Sequence, residues 1–331
     1  MMKSISLSLT LLLTVSTAFA DIPRTPNGKP NLQGTWANNA ATPLERPEQL
    51  ADRSELTAEE VARFKEKHDQ IFDGEGEAAF GDSVFQSVLA NDQEHESYDP
   101  ETGNYNHFWV VEREFENRTS LITDPPTGRL PTLVPAAVKA LEERIAYAEA
   151  HPADSYTDRI NSDRCITFGV PFIGAGYNGY FEITQSNSHV AIMQEMSHET
   201  RVIPVDNRPH IPGNIDQWIG DAKGRWEGDA FVVETKNFAP GSSFMQHPSE
   251  NLHLIERYEL IDADTLAWVL TVQDETIWSS PWTLQINLKR SAEPIFEYAC
   301  HEGNLSMEGI LAGHRAKEAE AAALQGSGGQ E

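Results

Sequence analysis

The chain has 331 residues, with 51 Asp plus Glu against 25 Lys plus Arg, a formal net charge of −26. So acidic a surface repels nucleic acid and anionic lipid, which excludes both partner classes. With 39% hydrophobic residues, the chain can bury a core for one large domain or two small ones.

The N-terminus carries Lys3, an apolar run from Ile5 to Val15 and the small residues Ala18 to Ala20 before Asp21. This is the layout of a cleavable secretory signal over residues 1–20, so a periplasmic or secreted mature chain is expected from Asp21, forming a single elaborated domain over 21–331. No stretch approaches the roughly 20 apolar residues of a spanning helix, so no membrane span is expected. Cys165 and Cys300 are the two cysteines, and in an oxidising compartment one long-range disulfide is the expected pairing.

"DIPRTPNGKPNLQGTW" reads as a loop entering a first strand at Trp36. "LTAEEVARFKEKHDQIF" places Thr57 and Glu60 at capping-box spacing and Leu56 and Val61 as a hydrophobic staple, which predicts a helix. A short helix is expected near Asp82 to Leu89. Phe108 to Val111 and Thr119 to Thr123 are strand-like, and "DPPTGR" is a turn. A helix is expected from Pro135, with Val138, Leu141 and Ile145 at helical spacing. Helices thus fall in an insertion of roughly 40–150.

From there the pattern is almost all β. Phe181 to Met196, "ETRVIPVD", "WEGDAFVVETKNF", "LHLIERYELIDADTLAWVLTVQDE" and "PWTLQINLKRS" form a meander of strands, and "YACHEGNLSMEGILAG" reads as a last strand and its exit. Short strands separated by closely spaced turns predict a mainly β chain, a sandwich or an antiparallel barrel, with added helices in the N-terminal half.

"NLQGTW" resembles the Gly-x-Trp signature of lipocalin-like (calycin) barrels. Together with "RTSLITDPPTGRLP", "RCITFGVP", "IPGNIDQWIGDAKGRWEGDAFVVETKNF", "SENLHLIERYELIDADTL" and "YACHEGNLSMEGIL", it resembles a widespread family of secreted bacterial proteins. The resemblance implies export and a lipocalin-like barrel with helical elaborations, and brings no mechanism with it.

The densest polar block runs from Tyr177 to Glu227. Alternation along the strand puts Gln194 on the face of Ile192 and Met196, where an inward amide orients a ligand. His210 or His198 is a candidate general base, because an imidazole titrates near neutrality. Arg201 or Arg208 is a candidate anion-stabilising donor, and Tyr177 a proton donor. Asn178, Tyr180, Trp218 and His301 complete the candidate binding set. The alternative for His210 and Arg208 is that they pin their loop through Asp206 or Asp216. Cys300 and Glu302 alternate with His301, so Cys300 is read as a staple and not as a nucleophile.

No HExxH, HxH or CxxC spacing, phosphate loop or GxSxG motif occurs, so no metal or organic cofactor is expected. The residues predict cofactor-independent acid–base chemistry of lyase, isomerase or hydrolase type on a small aromatic, terpenoid or sugar-like molecule in the barrel. A periplasmic binding or carrier protein without catalysis is the alternative.

Overall fold

The computed structural model describes residues 22–72, 81–90, 112–206 and 208–327. The expected signal segment and the strand expected at Phe108 to Val111 lie outside the described residues.

In chain order, β1 (Gly34–Ala37) precedes helices α1 (Ala58–Ile71) and α2 (Ser83–Ala90), the short strand β2 (Ile122–Asp124) and helix α3 (Pro135–Ala150). The strands β3 (Tyr180–Gln185), β4 (His189–Gln194), β5 (Glu199–Pro204), β6 (Asp221–Glu227) and β7 (Ala230–Lys236) follow. A small hairpin, β8 (Ser243–Phe244) and β9 (His247–Pro248), leads to β10 (His253–Leu260), β11 (Thr265–Gln273), β12 (Trp282–Ser291) and helix α4 (Ser306–Ser327).

The main sheet has the order β5-β4-β3-β1-β12-β11-β10-β7-β6, with β2 added beside β12. It is an up-and-down meander curled into a nearly closed antiparallel barrel, in which β1 joins β12 to β3. Nine strands with antiparallel neighbours leave β5 and β6 running in the same direction across the seam. Among the described residues no ladder joins them, and the chain between Pro204 and Asp221 returns from the end of β5 to the start of β6.

Inward alternation fills the barrel. Trp36, Phe181, Ile203, Phe231, Leu254, Trp268 and Trp282 belong to one buried cluster. The Tyr258 and Trp268 rings stack at 5.9 Å, and Phe181 meets Trp268 edge-on at 5.5 Å. Aromatic packing therefore occupies the middle of the barrel.

The Gly-x-Trp segment places Trp36 in the main core. Trp36 donates Nε1–H to the Leu32 carbonyl, and the Arg290 guanidinium lies over its ring at 4.2 Å. Gly34 has φ +123°, and a Cβ there would stand 2.7 Å from Arg290 Nη1. The backbone φ requires glycine at this position, whereas the guanidinium, at the end of a flexible side chain, can shift away from a Cβ.

The capping box of Thr57 and Glu60 starts α1 as expected. Leu56, Phe64, Phe85 and Val88 join in a small second core between α1 and α2, with Val61 packed against it.

Three expectations are corrected. Residues 181–196 are two strands, because the Ser186 hydroxyl bonds to the backbone of His189 and folds a tight turn between them. The strand expected at Thr119 to Thr123 is shorter and later, Ile122–Asp124. "YACHEGNLSMEGILAG" holds no strand: its first half is irregular, with Gly303 at φ +69°, and α4 begins at Ser306, whose N–H is accepted by Asn304 Oδ1. The Ala- and Glu-rich run beyond it favours helix.

Candidate functional site

The start of β3, the end of β4 and the start of β5 come together beside the end of β1, where Trp36 pairs with Phe181, Phe181 with Gln194 and Gln194 with Glu199. Two irregular segments cover this end. The first, 165–178, is fixed from below: Asn38 Nδ2–H donates to the Ile173 and Gly174 carbonyls, and buried Arg113 donates to the Ala175 carbonyl at 3.1 Å. Gly176, at φ +90°, leaves space for that guanidinium, since a Cβ would lie 2.3 Å from Arg113 Nη1. Burial lowers the Arg113 pKa to about 10, countered in part by Asp82.

The second segment, 296–306, is tied down by the Cys165–Cys300 disulfide and by the Phe296 N–H, which Glu195 Oε1 accepts at 3.2 Å. The expected bridge is thus present, with Cα atoms 5.6 Å apart. Between the two segments opens a cleft of about 710 Å³, within the range of small-molecule sites. Tyr177, Asn178, Phe168, Tyr298 and Glu302 line it, and the first turns of α4 contribute Ser306 and Ile310.

Behind the cover lies a polar group that faces inward on the strands. Gln194 and Glu199 are cross-strand partners on β4 and β5. Gln194 Nε2–H donates to Glu199 Oε2 at 3.1 Å, and the Thr167 hydroxyl donates to the same oxygen at 2.8 Å. Gln194 Oε1 accepts the Phe172 N–H. Burial raises the Glu199 carboxyl to about 7, against the lowering influence of Thr167, Arg201 and Gln194. Thr167 immediately precedes Phe168 of the cleft wall, so Glu199 belongs to the same barrel end.

The sequence reading passed over Glu199, although alternation in "ETRVIP" puts it on the face of Arg201 and Ile203. The inward placement of Gln194 agrees with the expectation.

Arg201 is placed differently. It is buried in the barrel in a bidentate pair with Glu256, which also accepts from Tyr258 Oη at 2.6 Å. Burial opposes the cation, but Glu256 and Tyr258 outweigh it and raise the arginine pKa. The Tyr258 phenol is pushed up by burial and by Glu256. These donors are engaged internally and are not offered to a ligand.

His210 lies in the seam-crossing connection. Its Nδ1–H donates to Asp221 Oδ2 at 2.8 Å, and its Nε2 is 3.8 Å from Glu234, which also binds His253 Nε2 at 2.9 Å. In register, Asp221 pairs with Lys236 and Glu234 with Lys223, on the face opposite inward Val233 and Thr235. The His210 group therefore clamps the connection to the outside of β6, β7 and β10. It sits at the cleft end of the barrel but not in its mouth.

Arg208 is exposed and folds back on Asp206, with Nε to Oδ2 at 2.5 Å. His198 is exposed in the turn before β5, and His301 is exposed in the loop after the disulfide. Among the described residues, no hydrogen bond or ion pair joins His198, His210 and His301. Tyr180 is half-buried at the start of β3, its phenol raised by burial and by Glu195 and Glu293. Trp218 is half exposed and packs over Gly241. Tyr177 and Asn178 thus line the cleft, while Gln194 and Glu199 pair with each other behind its cover and are not among the cleft-lining residues.

No helix among the described residues is long and apolar enough to cross a membrane. No family model matches the chain, and no curated protein matches it. Among solved structures, the chain is similar to a secretary abundant heat soluble (SAHS) protein from Ramazzottius varieornatus, at 15% identity and a TM-score of 0.23. The match covers 34% of this chain and 70% of that one. A superposition this loose carries no argument, and the barrel assignment rests on the strand register.

Proposed function

We propose that this is an exported small-molecule enzyme that performs cofactor-independent acid–base chemistry at the cleft end of its barrel. The observation that carries the reading is Glu199. A carboxyl raised to about 7 and held by Gln194 and Thr167 can take up or release a proton near neutral pH, which an ordinary surface glutamate does poorly. In this reading Glu199 is the acid–base residue, Gln194 and Thr167 position it, and Tyr177 supplies a second proton donor from the cleft. Phe168 and Tyr298 offer ring faces to an aromatic, terpenoid or sugar-like substrate. The disulfide supports a periplasmic or secreted location, since such bonds persist in oxidising compartments. Lyase, isomerase and hydrolase chemistry each include a proton transfer of this kind.

The second reading, a carrier that binds without conversion, rests on the same aromatic cleft. The two are separated by incubating the protein with a metabolite extract and following each compound by mass spectrometry, with Glu199→Gln in parallel. Conversion by the parent protein that is lost in the variant, while capture persists, is the expected result. Capture of an unchanged compound by both proteins assigns a carrier. Conversion that survives in Glu199→Gln removes Glu199 from the chemistry.

A further inference from the structure

We propose that Asp154, His314 and Glu318 form a binding site for a divalent transition-metal ion of the zinc class. His314 and Glu318 stand four residues apart on α4, so they project from the same face one turn from each other. Asp154 comes from the loop that follows α3. One ligand atom of each of the three lies within 4.8 Å of the others. Bound to zinc at about 2.0–2.2 Å, such atoms sit roughly 3.3 Å apart, which side-chain rotation at a partly open surface can supply.

The surroundings suit this chemistry. His151, the C-cap of α3, donates Nδ1–H to Asp154 Oδ2 at 2.7 Å, the outer-shell hydrogen bond that fixes a ligating carboxylate. Arg315 donates to the Ala153 carbonyl at 2.9 Å and so sets helix against loop independently of the ligands. It also holds Glu318 Oε2 at 2.9 Å, while Oε1 lies 3.4 Å from His314 Nε2. Among the described residues, the arginine paired with these carboxylates is Arg315, on Glu318, and two carboxylates against it leave a negative balance that favours a divalent ion. One imidazole with two carboxylates selects a borderline metal such as zinc over calcium or magnesium, which prefer all-oxygen shells.

The position has a consequence for the cleft. Ile310, one turn before His314, lines the cleft wall, and the disulfide anchors the segment just ahead of α4. An ion at Asp154, His314 and Glu318 would be a second staple on the same helix. This inference stands whether the cleft converts a ligand or only binds one.

The test is calorimetric titration of the whole metal-free protein with zinc chloride, with melting curves and cobalt(II) absorption alongside. One equivalent is expected to bind, raise the melting temperature and, as cobalt, give ligand-field bands that are absent from free aqueous cobalt. His314→Ala and Asp154→Asn are each expected to weaken binding at least tenfold, and His151→Ala by about 10-fold or more through the outer shell. His198→Ala and His301→Ala, on exposed loops elsewhere, are expected to change nothing. Glu318→Gln replaces either ligand variant that fails to melt cooperatively. No stoichiometric binding by the parent protein, or binding that survives any ligand variant, overturns the site.

Discussion

Arg201 and Glu256 face one another inside the barrel across the β5–β6 seam, the glutamate on β10 wholly enclosed and the guanidinium nearly so. The seam has no ladder, so this pair and Tyr258 provide a polar link from β5 to the far side of the sheet. Removing one charge leaves the other buried without a partner. Arg201→Met alone is expected to cost about 3–5 kcal/mol in urea unfolding. Arg201→Met, Glu256→Leu and Tyr258→Phe combined are expected to recover most of that loss, because the uncompensated charge and hydroxyl go together. A triple variant as unstable as the single one contradicts this account.

Glu199 makes stability depend on pH. Its carboxyl is raised from 4.5 to about 7, so the folded state keeps a proton that the unfolded chain releases. Stability therefore falls as pH rises from 4.5 towards 7, and the loss is complete above that. Glu199→Gln removes the ionisation, so it is expected to stabilise the protein at pH 8 by roughly 1–2 kcal/mol, discounted for partial exposure, and to leave it unchanged at pH 4. Equal effects at the two pH values in denaturant melts contradict the raised carboxyl.

Legibility followed the range of the interactions. The α1 capping box, the start of α3 at Pro135 and the strand meander were readable because each is set by residues a few positions apart. The tight turn at Ser186 was missed because hydroxyl-to-backbone bonds carry no hydrophobic signature. Helix α4 was missed because "YACHEG" alternates like a strand until Gly303. In the site, Gln194 was readable by alternation, while Glu199 and Asp221 acquire meaning only from cross-strand partners and from a connection that returns along the barrel. His210 looked like a base at the mouth because sequence does not tell which face of β6 and β7 its loop crosses.

Gly34 should tolerate no side chain. Gly34→Ala combines a φ of +123° with a contact on Arg290 Nη1, and it is expected to cost about 1–3 kcal/mol. Arg290→Ala in the same background relieves the contact but not the backbone strain, so it should restore only part of the loss. Additive losses in the double variant would show that Gly34 and Arg290 do not meet.

The disulfide closes a chain separation of 135 residues. Cys165→Ser with Cys300→Ser is expected to lower stability by about 2–5 kcal/mol in urea melts. Because the bridge ties down segment 296–306, the loss should be accompanied by faster amide exchange around Phe296, whose N–H rests on Glu195. Unchanged exchange there would mean that Glu195 holds the segment without the bridge.

Phe168 and Tyr298 meet edge-to-face at 6.1 Å on opposite covers of the cleft. Phe168 is 42% exposed, so it contributes little to folding and its ring is available to a ligand. Phe168→Ala is therefore expected to leave the melting temperature nearly unchanged while weakening capture of an aromatic ligand by about tenfold, the loss of one ring contact. Phe168→Leu keeps apolar area without the ring face and should fall between the two if ring geometry matters. Binding that is unaffected in Phe168→Ala, measured by calorimetry with the compound captured from the extract, places that compound outside the cleft.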